Sequence, residues 1–136
     1  MQVSPGRLTG IKVVLWLGLV LAAFWAVGSL VFPGDMHKAM APKGETFTPS
    51  LNAASLEVGS LALAWAFALA MAIRRPLEDP GLLWAINAAF LIIGLVGAYT
   101  TAFVAERATV LTWGTDIAML VLGLALVLLY PWRRKA

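Results

Sequence analysis

Four apolar stretches, each bracketed by charge, set the limits on what this chain can fold into. The first lies between Lys12 and Asp35, the second covers 58–73, the third 80–105 and the fourth 117–132. A transmembrane helix needs about 20 apolar residues to cross roughly 30 Å of hydrocarbon. The first and third runs are long enough as they stand. The second and fourth are 16 residues each, too short unless each helix starts earlier and takes a carboxylate in with it.

The local signals say where those starts lie. Thr48 can cap a helix whose first residue is Pro49, which puts Glu57 inside the second span. Asp79 before Pro80 opens the third, and Glu106 and Arg107 close it. The fourth must reach back to about 108–113, which places Asp116 inside; Tyr130 and Trp132 mark its far interface. The expectation is an all-α integral membrane four-helix bundle. It forms one domain over 1–136, with spans at about 11–33, 49–73, 80–105 and 108–131. Composition agrees: 61% of the 136 residues are hydrophobic and 12% charged, against about 25% charged in an average soluble domain. The first run is too long for the apolar core of a signal peptide, about 7–15 residues, and lacks an A-x-A site, so an uncleaved anchor is expected.

Orientation follows from short-loop charge. Arg7, Lys12, Arg74, Arg75, Arg133, Arg134 and Lys135 fall on one side, and Lys38, Lys43 and Arg107 on the other. This imbalance places both termini in the cytoplasm. The connection 33–48 is then outside. It could hold a short turn of helix but shows no strong period, and its His37 is expected to be solvated rather than a pH sensor.

Without a hydrophobic drive between helices in lipid, small residues must let backbones approach. Gly18, Ala22 and Ala26 form such a stripe on the first span, and Ala62, Ala66 and Ala70 on the second. The third has Ala85 with Ala89 and Gly94 with Ala98 and Ala102, and the fourth Gly114 with Ala118. Packing within the chain is favoured over a dimer seam. Trp16, Trp84, Trp113 and Trp132 suit interfacial belts, whereas Trp25 and Trp65 fall deeper, where core packing is favoured over ligand stacking. Asn87 reads as a cross-helix hydrogen-bonding residue.

Ionisable residues within a span are costly and face the bundle or a wet cavity. Glu57 lies about 12 Å into its helix from Pro49, and Asp116 about 12 Å from position 108, at 1.5 Å per residue. Tyr99, Thr101 and Trp113 reach the same level, and Arg107 is the nearest counter-charge in sequence. One reading is an outward-opening binding pocket of Glu57, Asp116, Tyr99, Thr101, Arg107 and Trp113 for a cation, a proton or a polar headgroup. The other keeps Glu57 in the interface and Asp116 as a solvated capping or loop residue.

No cysteine is present, which excludes disulfides, thiol catalysis and cysteine-ligated clusters. One histidine cannot build a multi-histidine metal site, and no P-loop, nucleophile-elbow, zinc-protease or EF-hand pattern occurs. No cofactor or metal is expected, and an enzyme is disfavoured. The first span has no acid, unlike that of small multidrug exporters. The lipid bilayer is the partner composition implies; beyond it stand other membrane subunits or a second copy of the chain, and nucleic acid is excluded.

Three pieces of sequence resemble the DoxX-like and BphX-like group of small four-span proteins. They are Leu30–Val31–Phe32–Pro33–Gly34 ending the first span, Ser55–Leu56–Glu57–Val58–Gly59 opening the second, and Arg74–Arg75–Pro76 closing it. The resemblance implies a simple bundle in the bacterial inner membrane. Some members partner oxidoreductases or lie in catabolic gene clusters. Glu57 is the position carried over; Asp116 is outside the pattern. The functions to weigh are a non-catalytic accessory or scaffold subunit of a membrane complex, a binder or transporter of a small cation, proton or lipophilic molecule, and a quinone-linked redox partner.

Overall fold

A computed structural model describes residues 3–41, 45–104 and 109–131. The chain is an all-α, four-span membrane bundle. Its long helices are α1 (Pro5–Val31), α3 (Pro49–Arg74), α4 (Pro80–Tyr99) and α5 (Val110–Leu129). A short helix, α2 (Pro33–Met40), follows α1, and a π-helical turn, Thr100–Val104, extends α4. At 1.5 Å per residue, the 27 residues of α1 reach about 40 Å. The 20 of α5 reach about 30 Å, just the hydrocarbon thickness.

Three of the four spans start the same way, with an oxygen-bearing cap followed by proline. Ser4 accepts from the Arg7 amide at 3.4 Å, Thr48 from Leu51 at 3.3 Å, and Asp79 from Leu82 at 2.9 Å. The cap satisfies an orphan N–H, and the proline ring pre-sets the first helical φ without removing a needed donor. At α5, Thr109 and Thr112 cap each other's backbone amides instead. The first helix therefore begins at Pro5 rather than near position 11, so Lys12 lies within it. Pro33 opens α2 after a break at Phe32, giving helix where the sequence showed no strong period.

The helices form two close pairs. α1 packs along α3 and α4 along α5; α3 touches α4 only lightly and α5 hardly at all. Both ends of the described chain, Val3 and Pro131, lie at one end of the bundle, here called basal; α2 lies at the other.

Tight packing is concentrated toward the basal half. Ile11, Leu15, Leu69, Leu83, Ile86, Phe90 and Leu126 are fully buried there in one cluster. The small-residue stripe of α1 is buried at Gly18, Ala22 and Ala26. The α4–α5 seam differs from the stripes read in sequence: Ala85, Ala102 and Gly114 are exposed, and the close approach uses Gly94, Gly97 and Gly123. A Cβ on Gly94 would lie 3.0 Å from the Leu120 backbone nitrogen, closer than a methyl tolerates.

Candidate functional site

Between the two pairs lies a cleft walled by all four long helices. It encloses about 370 Å³ and is lined by Trp25 of α1, Val58, Leu61, Ala62 and Trp65 of α3, Ala89 and Ile93 of α4, and Thr115 and Met119 of α5. Leu61 and Ile93 on its rim are exposed, so it opens sideways, toward lipid. The Trp65 ring stands edge-on to Phe90, centroids 5.0 Å apart, which anchors the cleft to the buried core. The indole nitrogens of Trp25 and Trp65 are both buried and have no hydrogen-bond partner among the described residues. A buried donor left unpaired costs about 1–3 kcal/mol. Both belong to residues that line the cleft, although the nitrogens themselves are covered.

A second polar feature is built into the α4–α5 seam. Asp116 is 6% exposed and its Oδ2 accepts a hydrogen bond from Thr101 Oγ1 at 2.9 Å. Its carboxylate lies directly over Gly97, where any Cβ would collide with it. Gly97 and Thr101 are one turn apart on the same face of α4 and its π-helical extension, so together they form a socket for the acid. Asp116 is thus a mid-helix buried residue, not a capping or loop residue.

The remaining residues singled out in sequence fall elsewhere. Glu57 is exposed on α3 and is not brought to Asp116, since α3 and α5 hardly meet. Tyr99 is exposed and pairs with Phe103, ring centroids 5.5 Å apart. Trp113 faces outward at the α2 end of α5. Arg107 lies outside the described residues. Of the six, the structure joins Thr101 and Asp116.

Two further residues depart from expectation. His37 is not solvated: it is 8% exposed, held on α2 with its ring 5.1 Å from Phe47. Asn87 is buried, yet its side-chain oxygen has no partner among the described residues. Sequence reasoning missed Gly97, whose signal was its place four residues before Thr101. It also missed the cleft, for which the depth of Trp25 and Trp65 was the available sign. Among the described residues no group of three or more His, Cys, Asp or Glu could hold a metal.

Fold and site together define a multi-pass membrane protein with a laterally open, apolar cleft between two helix pairs. No family model, curated protein or solved structure gives a significant match to this chain.

Proposed function

We propose that this protein binds a lipophilic, acceptor-bearing molecule from the bilayer in the cleft between α1, α3, α4 and α5, and does so as a non-catalytic accessory component of the membrane. The observation that carries this reading is the cleft itself, walled by Trp25 and Trp65, whose covered indole N–H groups have no partner among the described residues and would reach a guest by a small turn of the rings. Pockets for small molecules are apolar with a few convergent polar groups, and this one fits. A carbonyl-bearing lipophile would place its apolar body against Val58, Leu61, Ala62 and Ile93 and its oxygen toward an indole. Quinones belong to that chemical class, which keeps the quinone-linked reading within it.

The accessory role rests on the same site, because a chain that holds such a molecule without chemistry of its own serves a partner that uses it. Transport of a cation or proton through paired acids is the less favoured reading, since Glu57 is exposed on α3 while Asp116 is buried on α5. Cytoplasmic termini, a bacterial inner membrane and kinship with the DoxX-like group complete the proposal, supported by the charge bias and the three motifs.

The test is extraction. Protein purified in mild detergent is stripped with organic solvent, and the extract is analysed by mass spectrometry. Wild type should carry a lipophile near one per chain, and Ala89→Leu, which fills the cleft, should lose it. Equal amounts in both, or none in wild type, would refute the reading. A protein partner that co-purifies with wild type and Ala89→Leu alike would favour a scaffold role independent of the cleft.

A further inference from the structure

The sequence around the single histidine reads Met36–His37–Lys38–Ala39–Met40, and α2 gives Met36 one set of neighbours and the pair His37 and Met40 another. Met36 points back at α1: a Cβ on Gly28 would come within 2.6 Å of its Sδ, so the thioether fills the notch a glycine leaves. This contact fixes the rotation of α2. His37 and Met40, three residues apart and therefore on one helical face, both line a separate cavity of about 140 Å³. Its other walls are Ser29, Phe47, Leu51, Ala54, Ser55 and Val58.

His37 is more than nine-tenths buried, and its Nε2 has no hydrogen-bond partner among the described residues. The nearest carboxylate oxygen, Glu45 Oε2, is 3.8 Å away. That is too far for a hydrogen bond, but it is a gap that two metal–ligand bonds of about 2.0–2.2 Å each would span. The Ser55 hydroxyl is already turned to the Ser29 carbonyl at 3.4 Å.

Ligand type decides which metal. Hard ions want oxygen cages. A closed zinc site wants four His, Cys or carboxylate ligands, and no group of even three exists among the described residues. A thioether beside an imidazole is instead a donor set that suits a soft monovalent ion, copper(I) above all. In a chain without cysteine, methionine is the one soft ligand present.

We propose that His37 Nε2 and Met40 Sδ form a site for copper(I) at the α2 end of the bundle, with Glu45 as an auxiliary oxygen ligand. The site is independent of the lipophile cleft and survives its failure. Binding would also tie α2 to the segment that carries Glu45 and Phe47.

The experiment is a competition titration of the full-length protein in detergent with copper(I), kept reduced by ascorbate and buffered with a chromogenic chelator. Silver(I) calorimetry serves as the redox-inert check. Wild type should bind about one ion per chain. His37→Ala and Met40→Leu should each weaken binding by more than the ~10–100-fold that losses in the outer shell of a metal site cost. Met36→Leu, in the Gly28 notch, and Met71→Leu, on the exposed face of α3, should bind as wild type does. Met40→Leu keeps volume and apolarity, so it reports on ligation even where His37→Ala fails to fold. Absence of stoichiometric binding by wild type would overturn the proposal and leave ordered water as the partner of Nε2. Unchanged binding in Met40→Leu, or zinc(II) bound more tightly than copper(I), would overturn it equally.

Discussion

Replacing Gly97 by alanine tests the socket that holds Asp116. The added methyl would fall on the Asp116 carboxylate, which has two ways to respond. If it stays, the seam is overpacked, at about 1–3 kcal/mol for an added methylene in a packed core. If it swings out, the 2.9 Å bond from Thr101 is lost, at about 0.6–1.7 kcal/mol for a hydrogen bond between membrane helices, and the acid must find another partner in low dielectric. Against either cost stands the gain of exchanging glycine for alanine in a helix, about 0.8–1.0 kcal/mol. The balance is a net loss of up to roughly 2 kcal/mol. The internal control is Gly114→Ala on α5, where a Cβ would meet nothing within 4 Å; it should stabilise by up to about 1 kcal/mol. Reversible unfolding in mixed detergent, followed by tryptophan fluorescence and helical circular dichroism, measures both. Thr101→Val should cost less than Gly97→Ala in wild type and almost nothing on top of it, since both act on one contact. Equal stability of the two glycine variants would refute the placement of Asp116.

Phe90→Ala should destabilise through the void it leaves: in lipid the transfer contribution fades, and a cavity of roughly 100 Å³ at about 24 cal/mol per Å³ comes to about 2 kcal/mol. Its edge contact with Trp65 makes the emission of that tryptophan a second readout. Glu57→Gln should leave stability within about 0.5 kcal/mol of wild type by the same unfolding assay, since the residue is exposed; a larger loss would place the acid in a buried network. Thr48→Ala should shift the same transition by about 1 kcal/mol through loss of the α3 cap, with Ser50→Ala, exposed in the first turn two residues on, as the neutral comparison.

Span number and the proline-preceded caps at Thr48 and Asp79 were legible because a helix crossing hydrocarbon must satisfy its own backbone and has a minimum length. That same length argument brought Asp116 inside α5 and set Thr101 at its level. Depth, however, is all that a run length yields; it carries nothing about rotation around the helix axis. Glu57 and Asp116 have matching depths, yet one is exposed on α3 and the other buried on α5, because rotation is set by which neighbour each helix packs against. The small-residue stripes failed for the same reason on α4 and α5, where Gly94 was read correctly and Gly97 and Gly123 were passed over for Ala102 and Gly114. His37 is buried because the connection 33–48 does hold the short helix its sequence allowed, opened by Pro33, which turns the ring inward. For the cleft the sequence offers only the depth of Trp25 and Trp65, because a cavity depends on how the two helix pairs sit against each other.

The place of the cleft has a consequence for selectivity. A cleft opening into a membrane is never empty, because acyl chains fill it by default, and an apolar guest gains nothing by replacing them. Only what a lipid tail lacks can favour a particular guest, and in this cleft that is an acceptor for the indole N–H groups of Trp25 and Trp65. A hydrogen bond in this setting is worth about 0.6–1.7 kcal/mol. One bond then selects by roughly 3- to 20-fold and two by about 10- to 300-fold over hydrocarbon, at 1.4 kcal/mol per tenfold. Trp65→Phe keeps an aromatic ring and removes the donor. Its stability then reflects two opposed contributions, the disappearance of an unpaired buried donor and the loss of part of the ring that packs on Phe90, while one bond's worth of preference is erased. The measurement is competition between a long-chain ketone and the alkane of equal length, read by displacement of a brominated, fluorescence-quenching lipid from the remaining Trp25. An undiminished preference for the ketone in the Trp65→Phe, Trp25→Phe and doubly substituted proteins, the last read by retained ligand mass, would show that the indoles do not choose the guest.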